Sequence, residues 1–151
     1  AFSLHPLMTV TGAETTFTDA AAALSADDAV AHAAGAAIAD ALGMRTFDVA
    51  DEDRAAYHAG ASIASNFLIT LLAMAEEVSG IDRGDLAPLV RASVENWQHL
   101  GADRALTGPV ARGDHATVER QRTAVAARTP QLLPAFDALG RQTGALAAQR
   151  S

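Results

Sequence analysis

Residues 55–75 contain no Asp, Glu, Lys or Arg. A helix of about twenty uncharged residues is long enough to cross the hydrocarbon core of a bilayer, so the run must either span a membrane or be largely covered by protein. Two features count against a span. The run holds His58, Ser62, Ser65 and Asn66, which are costly in lipid, and it is flanked by Asp51-Glu52-Asp53 and Glu76-Glu77 rather than by basic residues. The expectation is a buried central helix of a soluble bundle. At 100° per residue, His58, Ser62, Ser65 and Asn66 fall within about 100° of arc, while Tyr57, Ala64, Phe67, Leu68 and Leu71 lie on other faces and are expected to pack in the core. A covered helix with one polar stripe must satisfy that stripe with hydrogen bonds or expose it to a wet cleft. Spacing alone leaves two readings open. In one, the stripe is a core histidine with serines bonding back onto their own helix; in the other, it is the wall of a functional cleft.

The rest of the composition agrees with a helical chain. Half of the 151 residues are hydrophobic but only 5% are aromatic, and alanine leads the apolar set. This favours closely packed helices over strands. Eighteen acidic residues against eleven basic ones give a net charge of −7, and with no basic run this argues against nucleic acid or an anionic membrane as partner. Every basic residue is arginine, which excludes a Schiff-base lysine from this segment. The chain has no cysteine, which excludes disulfides, zinc–thiolate sites and thiol nucleophiles and suits a cytoplasmic protein. The opening Ala-Phe-Ser-Leu-His-Pro lacks the basic and apolar regions of a signal peptide. It reads as though it starts inside a strand, so a preceding segment is expected.

Along the chain, residues 2–10 read as a strand broken by Pro6, and residues 15–24 as a second strand running into small residues. Ser25 is expected to cap a helix, with Asp27 and Asp28 in its first turn and Gly43 as its left-handed stop. Residues 44–49 read as a third strand. From Asp51 onward the pattern is helical. One helix runs to Ser79-Gly80. The next starts at Asp82 or Asp85, with Pro88 in its first turn, and ends at Gly101. A loop over residues 102–113 leads to a helix capped by Asp114, and Thr129-Pro130 opens the last helix. That helix aligns Leu132, Phe136, Leu139, Thr143 and Leu146 in one seam facing a partner. The expected domains are a strand–helix–strand segment over residues 1–50 and a helical domain over residues 51–151. The fold class is mostly α, a helical bundle preceded by a short segment that would extend a larger sheet.

Three stretches carry a resemblance. They are His58-Ala-Gly-Ala-Ser-Ile-Ala-Ser-Asn66-Phe, preceded by Asp53-Arg54 and Tyr57; Ser3-Leu4-His5-Pro6-Leu7; and Ala105-Leu106-Thr107-Gly108-Pro109-Val110-Ala111-Arg112-Gly113-Asp114. In this order they resemble a family of Rossmann-like oxidoreductases of unknown function within the 6-phosphogluconate-dehydrogenase-like superfamily. The resemblance implies a C-terminal helical domain for substrate binding and dimerisation. It also implies NAD or NADP bound mainly by an N-terminal Rossmann domain that this chain lacks, and a small carbonyl or hydroxy substrate, anionic in character. In hydroxyacid dehydrogenases and ketopantoate reductase of the same superfamily, the equivalent helix carries Lys and Asn facing the nicotinamide. Here His58 takes the place of the Lys and Asn66 follows two turns later, which implies His58 and Asn66 as catalytic residues. His5, Ser62, Thr107 and Arg112 are implied as substrate contacts, with His5 at a strand end beside the cleft.

Chemistry supports these assignments in part. Histidine titrates near neutrality and can protonate a carbonyl oxygen during hydride reduction. Residues 107–114 enter a helix N-terminus, where free amides and the Arg112 guanidinium can hold an anion; the plainer reading is a tight turn with Asp114 as cap. His32, His99 and His115 show no metal-ligand spacing, and no metal is expected. Trp97 is expected to be a core or interface anchor. No Gly-x-Gly-x-x-Gly follows a strand, so no cofactor-binding residue is assigned in this chain. The alternative from a different class is a non-catalytic helical dimerisation or binding module without a cofactor domain.

Overall fold

The computed structural model describes residues 1–10 and 12–149. The chain divides into two compact units, Ala1–Ile69 and Thr70–Ser151. The change from strand-bearing to wholly helical chain falls near residue 50, whereas the division between units lies inside a helix.

In the first unit, strands β1 (Phe2–Leu7), β2 (Ala21–Ala26) and β3 (Arg45–Asp48) form one sheet in the order β1-β2-β3. β1 runs antiparallel to β2 with His5 opposite Ala23, and β2 runs parallel to β3. Helix α1 (Ala29–Ala41) makes the crossover between the two parallel strands. Pro6 does not break β1 as expected. It pairs with Ala22, because β1 has a neighbour on one side only in this sheet and a proline is tolerated in such a strand. Ser25 does not cap α1 either. It lies in β2, and Asp28 is the cap, its carboxylate accepting from the Ala31 amide at 2.8 Å. Gly43 supplies the left-handed stop at φ 73°.

The second strand is made of small residues for a packing reason. Ala22, Ala39 and Met44 are buried together, with Leu4, Phe17 and Ala20 against them. Leu24, 1% exposed, is the largest fully buried side chain. It lies against α1 at Gly35, where an added Cβ would come within 2.5 Å of Leu24 Cδ1 and 3.0 Å of Phe2 Cδ2.

After a short 3-10 turn over Asp51–Asp53, helix α2 (Arg54–Ser62) passes through one π turn, Ile63–Phe67, into α3 (Leu68–Ser79). The uncharged run is therefore helical, but it is not buried as expected: no residue from Asp51 to Ser79 is buried in this chain. By length and composition alone, Asp51–Ser79 is long and apolar enough to cross a membrane. The first unit covers only part of its circumference, which leaves Ile63, Phe67 and Ile69 exposed at 59%, 57% and 65%.

In the second unit, α4 (Arg83–Leu100) starts at an Asp82 cap and stops at Gly101 with φ 79°. Pro88 sits within the helix rather than in its first turn. The expected loop contains a short helix, α5 (Ala102–Ala105). Helix α6 (His115–Arg128) is capped by Asp114, which accepts from the Thr117 amide at 3.0 Å. Thr129 does not cap the last helix through its side chain; its hydroxyl turns back to the Val125 carbonyl at 3.4 Å. A 3-10 turn at Pro130–Leu132 then leads into α7 (Leu133–Ala147). Arg122 on α6 donates two bonds to Asp137 on α7, at 2.9 and 3.0 Å. The seam of α7 is half-buried except at Leu139, which is exposed. Trp97 is 60% exposed and is no core anchor in this chain.

Removing the Leu24 side chain tests where the stability of the first unit lies. Leu24→Ala should cost about 2–5 kcal/mol in urea unfolding, as buried leucine truncations do. A loss under about 1 kcal/mol would show that the sheet and α1 are not the stabilising core.

Candidate functional site

The polar stripe of α2 faces a cavity of about 790 Å³ within the first unit. His5 to Leu7 at the end of β1, the following Met8 and Thr9, and Phe47 of β3 form its other walls. His58, Ser62 and Ser65 line the cavity together with His5 and Tyr57. The sheet register explains why His5 is there, since pairing with Ala23 carries the last residues of β1 to this edge.

The geometry centres on three rings. The rings of His5 and His58 meet edge to face, with centroids 5.0 Å apart and planes at 79°. Tyr57 lies 5.1 Å from the His58 ring and 5.8 Å from that of Phe47. Its hydroxyl is 2.7 Å from His5 Nδ1. Burial pushes the Tyr57 phenol above its usual pKa, because a phenolate would lose hydration there. Ser65 Oγ donates to the Ala61 carbonyl at 2.7 Å, so this serine both bonds back onto its helix and lines the cavity.

The expected site residues divide between the two units. His5, His58 and Ser62 converge on the cavity. Asn66 lies in the π turn with Oδ1 3.3 Å from Ser65 Oγ, one residue past the end of the lining. A π turn has more than 3.6 residues per turn, so the 100° spacing that aligns His58 with Ser62 does not carry through to Asn66. Thr107 and Arg112 belong to the second unit, where both are exposed. The loop that holds them closes on itself. The amides of Arg112, Gly113 and Asp114 donate to the carbonyls of Gly108, Val110 and Pro109, so the free amides expected there are taken. The Asp114 carboxyl is held below its usual pKa, first by its bond from Thr117 and to a smaller degree by the charges of Arg120 and Arg112.

Sequence reasoning missed Tyr57 and Phe47 as cavity residues. Tyr57 was expected in the core. Its signal was its place beside His58, one residue off the stripe, where a long aromatic side chain can still reach a neighbouring face. Among the other histidines, His32 Nε2 lies 2.9 Å from Asp48 Oδ1 and His99 Nδ1 lies 2.7 Å from the Glu95 carbonyl. Among the described residues no three metal-ligating side chains converge.

A three-stranded sheet crossed by one helix and followed by helices gives this chain a mostly α fold with a short strand segment at its start. It belongs to the family described as Domain of unknown function (DUF2520), whose model matches residues 20–143. Two solved structures share the fold. A "putative NADP oxidoreductase" from Bacteroides fragilis is 23% identical over 93% of this chain, with a TM-score of 0.81. A protein from Thermotoga maritima is 24% identical over 98% of it, with a TM-score of 0.85. This chain spans 56% and 62% of the lengths of those two proteins. At these identities the likeness is one of fold. No curated protein matches the chain.

Tyr57 is the only tyrosine, so tyrosinate absorbance in this chain reports on it alone. Alkaline titration should place its half-ionisation above the ordinary value of about 10, and urea should return it to that value. Because the folded-state pKa is the raised one, the corresponding stability is present below pH about 10 and is lost as pH rises through the folded value. A folded-state midpoint at or below that of the unfolded chain would contradict the burial of this phenol.

Proposed function

We propose that this chain is the substrate-side domain of an NAD(P)-dependent oxidoreductase acting in the cytoplasm on a small, anionic carbonyl or hydroxy compound. The observation that carries the proposal is the convergence of His5, His58 and Ser62 on one cavity at the sheet edge. The shared fold with a protein named as an NADP oxidoreductase supports it.

The described residues fit the reacting end of such a site better than the cofactor's phosphates. They offer ionisable and hydroxyl groups around a cavity, but no glycine-rich strand-to-helix turn that could cradle a pyrophosphate. A nicotinamide, bound mainly outside this chain, would supply the hydride. His58 donates a proton to the carbonyl oxygen as the alcohol forms, and is reloaded from solvent. Ser62 orients the oxygen, and His5 contacts the substrate from the strand side.

The same domain pairs two copies of the protein. Ile63 and Phe67, one turn apart, leave an apolar strip exposed on the long helix. Two copies burying this face remove apolar surface that water otherwise covers.

Two measurements test the proposal. In the full-length protein, oxidation of NADPH by small 2-oxo acids, followed by absorbance, should fall by about 10²–10⁴-fold in turnover on His58→Ala. Unchanged turnover would make His58 a structural residue. Light scattering at micromolar concentration should give the mass of two chains, and Phe67→Glu should halve it. A single-chain mass that does not change on concentrating the protein would remove the dimer.

A further inference from the structure

The proposed reaction gives Tyr57 nothing to do, yet its hydroxyl makes a side-chain contact across the cavity wall and its ring touches both histidines. Its hydroxyl lies 2.7 Å from His5 Nδ1, and its ring packs against those of Phe47 and His58. Which partner owns the shared hydrogen follows from acid strength. A phenol loses its proton near pH 10 and a neutral imidazole nitrogen is the better acceptor, so at neutral pH the Tyr57 hydroxyl donates and Nδ1 accepts. A neutral imidazole whose Nδ1 accepts must carry its hydrogen on Nε2.

We propose that Tyr57 is a positioning residue that fixes His5 as the Nε2–H tautomer, so that His5 meets the substrate as a neutral hydrogen-bond donor. This rests on the reading of the cavity as a carbonyl-reducing site and deepens it by dividing labour between the two histidines. His58 exchanges its proton; His5 keeps its own and offers it only as a hydrogen bond. His5 is restrained from both sides, by the backbone pairing of β1 with Ala23 and by the phenol at Nδ1. The partner that suits a fixed N–H is an acceptor oxygen, either carbonyl or carboxylate. An ammonium or amide N–H at the same place would face donor against donor and is selected against. The cavity therefore sets an acceptor oxygen of the substrate, rather than an ammonium or amide nitrogen, against His5.

Tautomers are read directly by long-range proton–nitrogen correlation on the full-length protein carrying ¹⁵N-labelled histidine, with His5 assigned from the signals lost in His5→Asn. The expected result is a protonated Nε2 and an unprotonated Nδ1 that is displaced by an accepted hydrogen bond. In Tyr57→Phe, which keeps the ring and removes only the hydroxyl, the Nδ1 signal should move to its unbonded position. A His5 hydrogen on Nδ1 in the unmodified protein would overturn the proposal without any variant. Identical His5 nitrogen signals in Tyr57→Phe and the parent would overturn it as well. In kinetics, Tyr57→Phe should raise KM for a 2-oxo acid roughly three- to tenfold, the worth of one hydrogen bond, with kcat little changed. His58→Ala should do the reverse. A protein that reduces no carbonyl compound but keeps the predicted His5 tautomer would sink the oxidoreductase reading and leave the Tyr57 bond standing, so the two failures are distinguishable.

Discussion

Leu24 reaches α1 through the space that Gly35 leaves open, and the first unit is organised around that approach. A side chain at position 35 would collide with both Leu24 and Phe2, which lie on the two antiparallel strands. The absence of one Cβ thus lets α1 sit on β1 and β2 together. With the helix seated, Ala22 and Ala39 close the core and β1 is held in register against β2. His5 inherits its position from that register, because in a strand a slip of one residue would turn its side chain to the opposite face. The cleft depends on tight packing on the far side of the same sheet segment, although none of the packing residues enters it.

The long helix brings chemistry to this edge with a different logic. It carries no charge over residues 55–75, so the ionisable groups it contributes to the cleft are the ring nitrogens of His58 and the Tyr57 phenol. Two imidazoles and a phenol give a site with several hydrogen-bonding groups and no permanent charge. This suits a reaction in which a proton must be given and recovered. Ser65 shows how the helix manages its remaining polarity: its bond to the Ala61 carbonyl satisfies the hydroxyl internally, immediately beside a π turn where the helical bonding pattern changes.

Much of the fold could be read in the sequence because local chemistry decided it. Asp82, Asp114, Gly43 and Gly101 mark helix ends through bonds and backbone angles set within a few residues, and the third strand followed from its own pattern. The errors arose where distant partners decide. Ser25 looked like a cap but was recruited into β2 by pairing with Ser3. Pro6 looked like a break but was tolerated because β1 has one neighbour. The helix over residues 55–75 was expected to be buried because apolar content signals cover but not who supplies it. In the site, the His58 and Ser62 spacing was legible because α2 is regular. The π turn put the helical wheel out of register for Asn66. The bond between Tyr57 and His5 joins residues 52 positions apart, and no periodicity encodes such a contact.

The exposure of Trp97 has an optical consequence. It is the only tryptophan, it sits near the end of α4, and more than half of it meets solvent. Its indole is already wet in the folded chain, so emission from this chain should resemble that of the unfolded polypeptide and scarcely register denaturation. A shift of that emission to shorter wavelength would instead mark the arrival of something over α4. The fluorescence of this domain is a gauge of association rather than of folding.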